Sequence, residues 1–127
     1  METLVYEARA VQRHLRRSPR KVRMVADLVR GMNVAKALST LAFTNKGAAT
    51  DVAKVIKSAA ANLRDKFDEE VIEDEDLRIK TIFVDEGVTM KRIQPAPQGR
   101  AHPIRKRSSH INVVVEKNDN EVIKEEE

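Results

Sequence analysis

Gly87 to Val115 reads GVTMKRIQPAPQGRAHPIRKRSSHINVVV, twenty-nine residues without Asp or Glu in a chain whose 127 residues include 20 acids. It carries six cations: Lys91, Arg92, Arg100, Arg105, Lys106 and Arg107. Its ends have strand character, and Ile111, Val113 and Val115 alternate as one inward face. Pro95, Pro97 and Gly99 lie between the two ends, where a central ladder tolerates none of them, so the segment is predicted to be a hairpin. From Gly87 to Ala96 an extended arm reaches about 30 Å at ~3.3 Å per residue. A two-stranded ribbon with no apolar stripe is marginally stable alone in water. The arm is therefore expected to be mobile when free and fixed by a partner. Lys and Arg suit phosphate oxygens, with Arg able to fork onto two of them. A solvated loop is the plain alternative, but such loops usually mix both signs of charge.

Outward from the hairpin, Leu77–Asp85 predicts a strand antiparallel to Ile104–Val115. Leu77, Ile79, Thr81 and Phe83 are expected on its buried face, with Ile82 and Val84 partly covering the other. Asp68–Asp76 reads as an acidic loop. Upstream, Thr44 is placed to cap a long helix whose apolar line is Ala48, Val52, Val55, Ile56, Ala59, Leu63 and Phe67. Asn33 is placed to cap a shorter helix through Leu41. Ser18-Pro19 opens a first helix with an apolar stripe of Val22, Val25, Leu28 and Val29, and Gly31 ends it in a left-handed turn. Leu4–Val11 predicts a short strand. The fold class is α+β, with three helices on a small antiparallel sheet and a long protruding β-hairpin. At this length one domain is expected over residues 1–117, its hairpin spanning 85–105. Residues 118–127 form an acidic tail, expected to be disordered.

The net charge of +4 hides segregation into blocks. Ala8–Ala26 holds seven cations and no acid: Arg9, Arg13, Arg16, Arg17, Arg20, Lys21 and Arg23. Asp65–Asp76 holds eight acids and one lysine. Such fields concern partners and association rates rather than fold. The first block, leading into a helix N-terminus at Ser18, predicts a second phosphate-binding face.

Other chemistries fare worse. There is no cysteine, hence no disulfide or thiolate metal site, which fits a reducing compartment. The start METLVYEARA lacks a signal-peptide apolar run, and no stretch has the ~20 apolar residues that span a bilayer. The histidines His14, His102 and His110 lack neighbouring carboxylates, which disfavours a ribonuclease-like pair of His102 and His110. No metal-ligand spacing occurs, and Asp74, Glu75 and Asp76 lack the glycine and spacing of a calcium loop. A helix-turn-helix reading would send Val34–Leu41 into a DNA groove, yet VAKALSTL has one cation and no Asn, Gln or Arg for base edges. Tyr6, Phe43, Phe67 and Phe83 are too scattered for a base-stacking platform.

Ser18–Arg30 (SPRKVRMVADLVR) with Gly31, Thr44-Asn45-Lys46, Ile82–Gly87 (IFVDEG), Met90–Ile93, Gly99–Ala101 and Arg107–Val115 (RSSHINVVV) occur in an order that resembles the bacterial large-subunit ribosomal protein twenty-two family, over nearly the whole chain. The resemblance implies a non-enzymatic constituent of the large subunit that binds ribosomal RNA early in assembly. Its partners would be large-subunit RNA, neighbouring large-subunit proteins and the nascent polypeptide, with no membrane, metal or cofactor. It would act as a monomer within the cytoplasmic ribosome. The two cationic blocks and the resemblance together give the expected RNA-binding set: Arg9, Arg13, Arg16, Arg17, Arg20, Lys21, Arg23, Lys91, Arg92, Arg100, Arg105, Lys106, Arg107, Ser109 and His110. The implied lining of the peptide exit tunnel is the tip: Met90, Lys91, Arg92, Ile93, Gln94, Pro95, Ala96, Pro97, Gln98, Gly99 and Arg100. Known members carry cations within the tip where this chain has Ala96 and Gln98, and a small residue at Pro97. This tip is thus less basic and stiffer than the family pattern.

Overall fold

In a computed structural model, residues 6–68, 71–95 and 97–117 are described. The acidic tail, the first residues of the predicted Leu4 strand, part of the acidic loop and Ala96 at the tip lie outside them. The chain order is β1 (Glu7–Leu15), α1 (Pro19–Val29), α2 (Val34–Ala42), α3 (Gly47–Lys66), a 3-10 turn at Asp74–Asp76, β2 (Leu77–Glu86), β3 (Met90–Pro95), β4 (Ala101–Lys106) and β5 (Ser109–Lys117). β5 lies between β1 and β2, antiparallel to both, while β3 and β4 pair only with each other. The α+β class and the hairpin are as the sequence predicts.

The core fills the space between one sheet face and the helices. Val22, Val25, Ala26 and Val29 of α1 meet Val52, Ile56, Ala59 and Leu63 of α3, and Ile111, Val113 and Val115 of β5 close the cluster from below. Alanines along α3 let its backbone approach its neighbours closely. Leu28, expected in the stripe of α1, is exposed, and Ala26 takes the buried place.

The inward face of β2 changes partway. Leu77 and Ile79 are buried as expected, but Ile82 and Val84 are buried in place of Thr81 and Phe83. The pairing register shifts between Ile79 and Thr81, so Lys80 is an extra residue opposite β5. A bulge of one residue sends each later side chain to the opposite face. A second register shift in β1, between Gln12 and Leu15, puts His14 at φ 56°. Its N–H there donates to His110 Nδ1 at 3.1 Å, with the two rings edge to face at 5.1 Å.

Helix ends differ from expectation in two places. Asn33 caps α2 as predicted, its Oδ1 accepting from Ala35 N–H at 2.9 Å. Ser18 precedes α1 but its side chain makes no cap bond. Thr44 does not cap α3: its hydroxyl donates back to the Thr40 carbonyl at 2.8 Å, and Lys46 takes the cap position without a side-chain bond. Gly31 has φ +78°, the left-handed turn after α1.

Both sheet edges are stopped by side chains. On β2, the Arg23 guanidinium donates twice to the Val84 carbonyl (3.1 and 2.9 Å), and Arg30 donates to the Ile82 carbonyl (2.9 Å). On β1, Asn62 donates to the Arg9 carbonyl (2.9 Å) and Lys66 to the Glu7 carbonyl (3.3 Å). Unpaired edge carbonyls invite a strand from another chain, and these donors occupy them. The acidic segment is pinned by Arg64, which pairs with Asp74 and donates to the Ile72 carbonyl at 2.8 Å.

Ser109 is fully buried, and its hydroxyl has no hydrogen-bond partner among the described residues. A buried hydroxyl without a partner costs free energy that an apolar isostere does not. Ser109→Ala should be neutral or raise stability by up to about 1 kcal/mol. A urea midpoint that falls clearly would show that the hydroxyl is satisfied after all.

Candidate nucleic-acid interface

The six paired positions of the hairpin run from Met90↔Lys106 to Pro95↔Ala101. That ladder is about 17 Å long at ~3.4 Å per residue, since Gly87–Thr89 belong to no strand. Gly87 fixes where the arm leaves the globule: its N–H donates to the Ser108 carbonyl at 2.9 Å, and Ser108 Oγ donates to the Val88 carbonyl at 2.7 Å. A side chain on Gly87 would collide with Ser108 and the His110 ring. Beyond that point every residue of β3 and β4 is exposed except the half-buried Ile104. At the tip Gln98 (φ 65°) and Gly99 (φ +73°) are both left-handed, a conformation that suits the glycine.

Residues opposite each other in the ladder share a face. Met90, Arg92, Gln94, His102, Ile104 and Lys106 therefore form one face, and Lys91, Arg105, Ile93, Pro103, Pro95 and Ala101 the other. The distal half of the second face is uncharged and apolar, with Ile93 75% exposed. The arm thus carries a short apolar patch where the sequence predicts none, because Pro103 and Ala101 join Ile93 and Pro95 only through the register.

The decisive geometry lies at the base of the arm. A groove of about 780 Å³ is lined by His14, Arg16, Arg17, Ser18, Val88, Met90, Arg92, Arg105, Lys106, Arg107 and Ser108. Two cationic blocks some ninety residues apart in sequence meet in it, and no Asp or Glu takes part. Among the described residues, no ion pair involves Arg16, Lys21, Lys91, Arg92, Arg100, Arg105, Lys106 or Arg107. Among the described residues, the cations of the arm form no ion pair with the chain's own carboxylates. These cations are exposed to solvent.

Other cations are already engaged. Arg17 pairs with Asp51, Arg78 with Glu116, and Arg64 with Asp74. Lys80 lies 2.8 Å from Glu7, whose hydrogen bond and charge hold the ammonium above its ordinary value. Glu116, the last residue but one of β5, is buried.

The predicted site residues therefore separate. Arg16, Arg92, Arg105, Lys106 and Arg107 converge on the groove; Lys91 lines a neighbouring one with Arg105, Arg107 and Glu86; Arg9, Arg13, Arg20 and Arg100 are exposed elsewhere; and Lys21 lines an adjoining groove. Arg23 is turned to the Val84 carbonyl and serves the sheet edge. Ser109 has no accessible surface and is excluded as an RNA contact in this fold. His110 is half-buried against His14, and its Nδ1 is occupied as an acceptor. His102 lies on β4 opposite Gln94, so it and His110 are on different elements. No group of three or more metal-ligating side chains occurs among the described residues. Nor is any described helix long and apolar enough to cross a membrane. Arg23→Ala should lower stability by about 1 kcal/mol and cost less RNA affinity than Arg16→Ala. An unchanged urea midpoint would return Arg23 to the interface.

Three helices on a three-stranded sheet, with a basic arm and a groove at its root lined by cations and no acid, define an α+β protein with a concentrated basic surface. The chain belongs to the ribosomal protein L22p/L17e family, whose model matches residues 10–116. It is 53% identical over 109 residues to the large ribosomal subunit protein uL22 of Desulfitobacterium hafniense (strain DSM 10664 / DCB-2), covering 86% of this chain and 93% of that one. It is 48% identical over 118 residues to the protein of the same name from Chlorobaculum tepidum, covering 93% and 99%. With that of Heliobacterium modesticaldum the identity is 52% over 108 residues, covering 85% and 75%.

Proposed function

We propose that this chain is a structural, non-catalytic constituent of the large ribosomal subunit that binds ribosomal RNA and supports subunit assembly. The globule docks through the start of α1 and the base of the arm, and the arm extends along the peptide exit tunnel with its tip, Met90–Arg100, forming part of the wall. Its partners are large-subunit RNA, neighbouring large-subunit proteins and the passing nascent chain. It acts as one copy per ribosome in the cytoplasm. The observation that carries this reading is the acid-free groove in which Arg16 meets Arg92, Arg105, Lys106 and Arg107. Family membership supports the subunit assignment. RNA shape and backbone, more than base identity, would be recognised, because six of the eleven lining residues are Arg or Lys and none is Asn, Gln, Asp or Glu.

Titration of large-subunit RNA with the purified chain between 50 and 200 mM salt tests the binding. If seven phosphates are engaged, affinity falls by roughly 10³-fold over that range. A flat salt response, or failure of the chain to co-sediment with large subunits from lysate, would refute it.

A further inference from the structure

A second groove, about 610 Å³, is lined by Arg16, Arg17, Ser18, Lys21, Met24, Lys46, Gly47 and Ala48. It shares Arg16, Arg17 and Ser18 with the groove at the base of the arm. No acid lines either one. Arg17 divides the two and is pinned in place by Asp51. On its far side Lys46 is exposed and makes no ion pair among the described residues. The starts of α1 and α3 both border this second groove, and neither has an acid in its first turn or a side-chain cap. Lys46 thus adds a cation beside Arg16, Arg17 and Lys21, a self-repulsion that the single carboxylate nearby, Asp51 on Arg17, offsets only in part.

We infer that the two grooves form one continuous track for the phosphodiester backbone of a single RNA segment, and that Lys46, at the N-cap of α3, is its outer contact. The inference rests on the RNA-binding reading above and adds a residue and a path to it. Lys46 enters the sequence as an isolated cation beside Asn45 and Gly47, so no charge run marks it. Only the packing of α3 against α1 brings it beside Arg16 and Lys21.

The cysteine-free chain allows a direct test on the full-length protein. A single cysteine is introduced at Asn45 or at Val88, both exposed, and carries an iron chelate that cleaves nearby RNA by hydroxyl radical. With large-subunit RNA bound, Asn45→Cys and Val88→Cys should cut neighbouring positions of the same RNA segment. In parallel, Lys46→Ala should weaken binding several-fold and lower the salt slope by roughly 0.7. Lys57→Ala, exposed farther along α3, should change neither. Cleavage from position 88 with none from position 45, or cleavage of two unrelated segments, overturns the track while leaving RNA binding intact. No cleavage from either position, with no binding by the unsubstituted chain, overturns the RNA reading itself.

Discussion

Ile56→Asp will leave the chain unfolded at 25 °C. Ile56 has no accessible surface and stands in α3 among residues contributed by the other helices and the sheet. Truncating such a side chain already costs about 2–5 kcal/mol through lost burial and the cavity left behind. A carboxylate at the same place adds the penalty of a buried charge with no partner, or of a proton taken up to avoid it. Total stability for a domain of this size is about 5–15 kcal/mol, and this cluster is the chain's hydrophobic core. Far-UV circular dichroism should show loss of helix, and the urea transition should vanish. A cooperative transition with a midpoint near that of the parent would mean that α3 is not the centre of the core.

The same reasoning separates the chain into a part that folds and a part that reaches. β3 and β4 contribute nothing to the buried cluster. Their register is held by the Gly87–Ser108 and Ser108–Val88 hydrogen bonds at one end and the left-handed turn at the other. Charges placed there cost the fold little, so the chain can concentrate cations on the arm that its core could not absorb.

Much of this was legible in the sequence, for identifiable reasons. Helical spacing of Val22, Val25 and Val29, and of Val52, Ile56 and Leu63, marked the faces that are buried. The alternation of Ile111, Val113 and Val115 marked the central strand. What escaped was set by geometry that leaves no local trace. A single extra residue at Lys80 reversed the expected faces of Thr81, Ile82, Phe83 and Val84. Arg23 sits in a basic block and looks like its neighbours, yet a carbonyl on β2, sixty-one positions away, claims it. Ser109 lies in a polar-looking run, yet it stands in step with Ile111, Val113 and Val115, so its burial was implicit in their alternation although its residue type argued against it. Thr44 offered a cap, but its hydroxyl found the Thr40 carbonyl first. The binding surface was legible as two separate charge blocks; their meeting at the root of the arm is a property of the fold alone.

Reversing two charges in that groove should produce opposite effects on binding and on stability. Arg16 and Arg107 are exposed, make no ion pair among the described residues, and come from the two different blocks. In Arg16→Glu with Arg107→Glu, each site loses a charge-assisted hydrogen bond to phosphate worth about 1.5–3 kcal/mol. Together that is about 3–6 kcal/mol, or at least ~100-fold in affinity for large-subunit RNA at 1.4 kcal/mol per tenfold. Exposed substitutions of this kind usually move stability by less than about 0.5 kcal/mol. Here the sign should be favourable, because each glutamate relieves repulsion among Arg92, Arg105 and Lys106. The expected pair of results is a thermal midpoint that holds or rises and an RNA affinity that collapses. A surface whose charges served the fold would give the reverse: a lower midpoint and unchanged binding. The sign of the stability change, read beside the affinity, therefore decides whether this cluster is maintained for the protein itself or for a polyanion outside it.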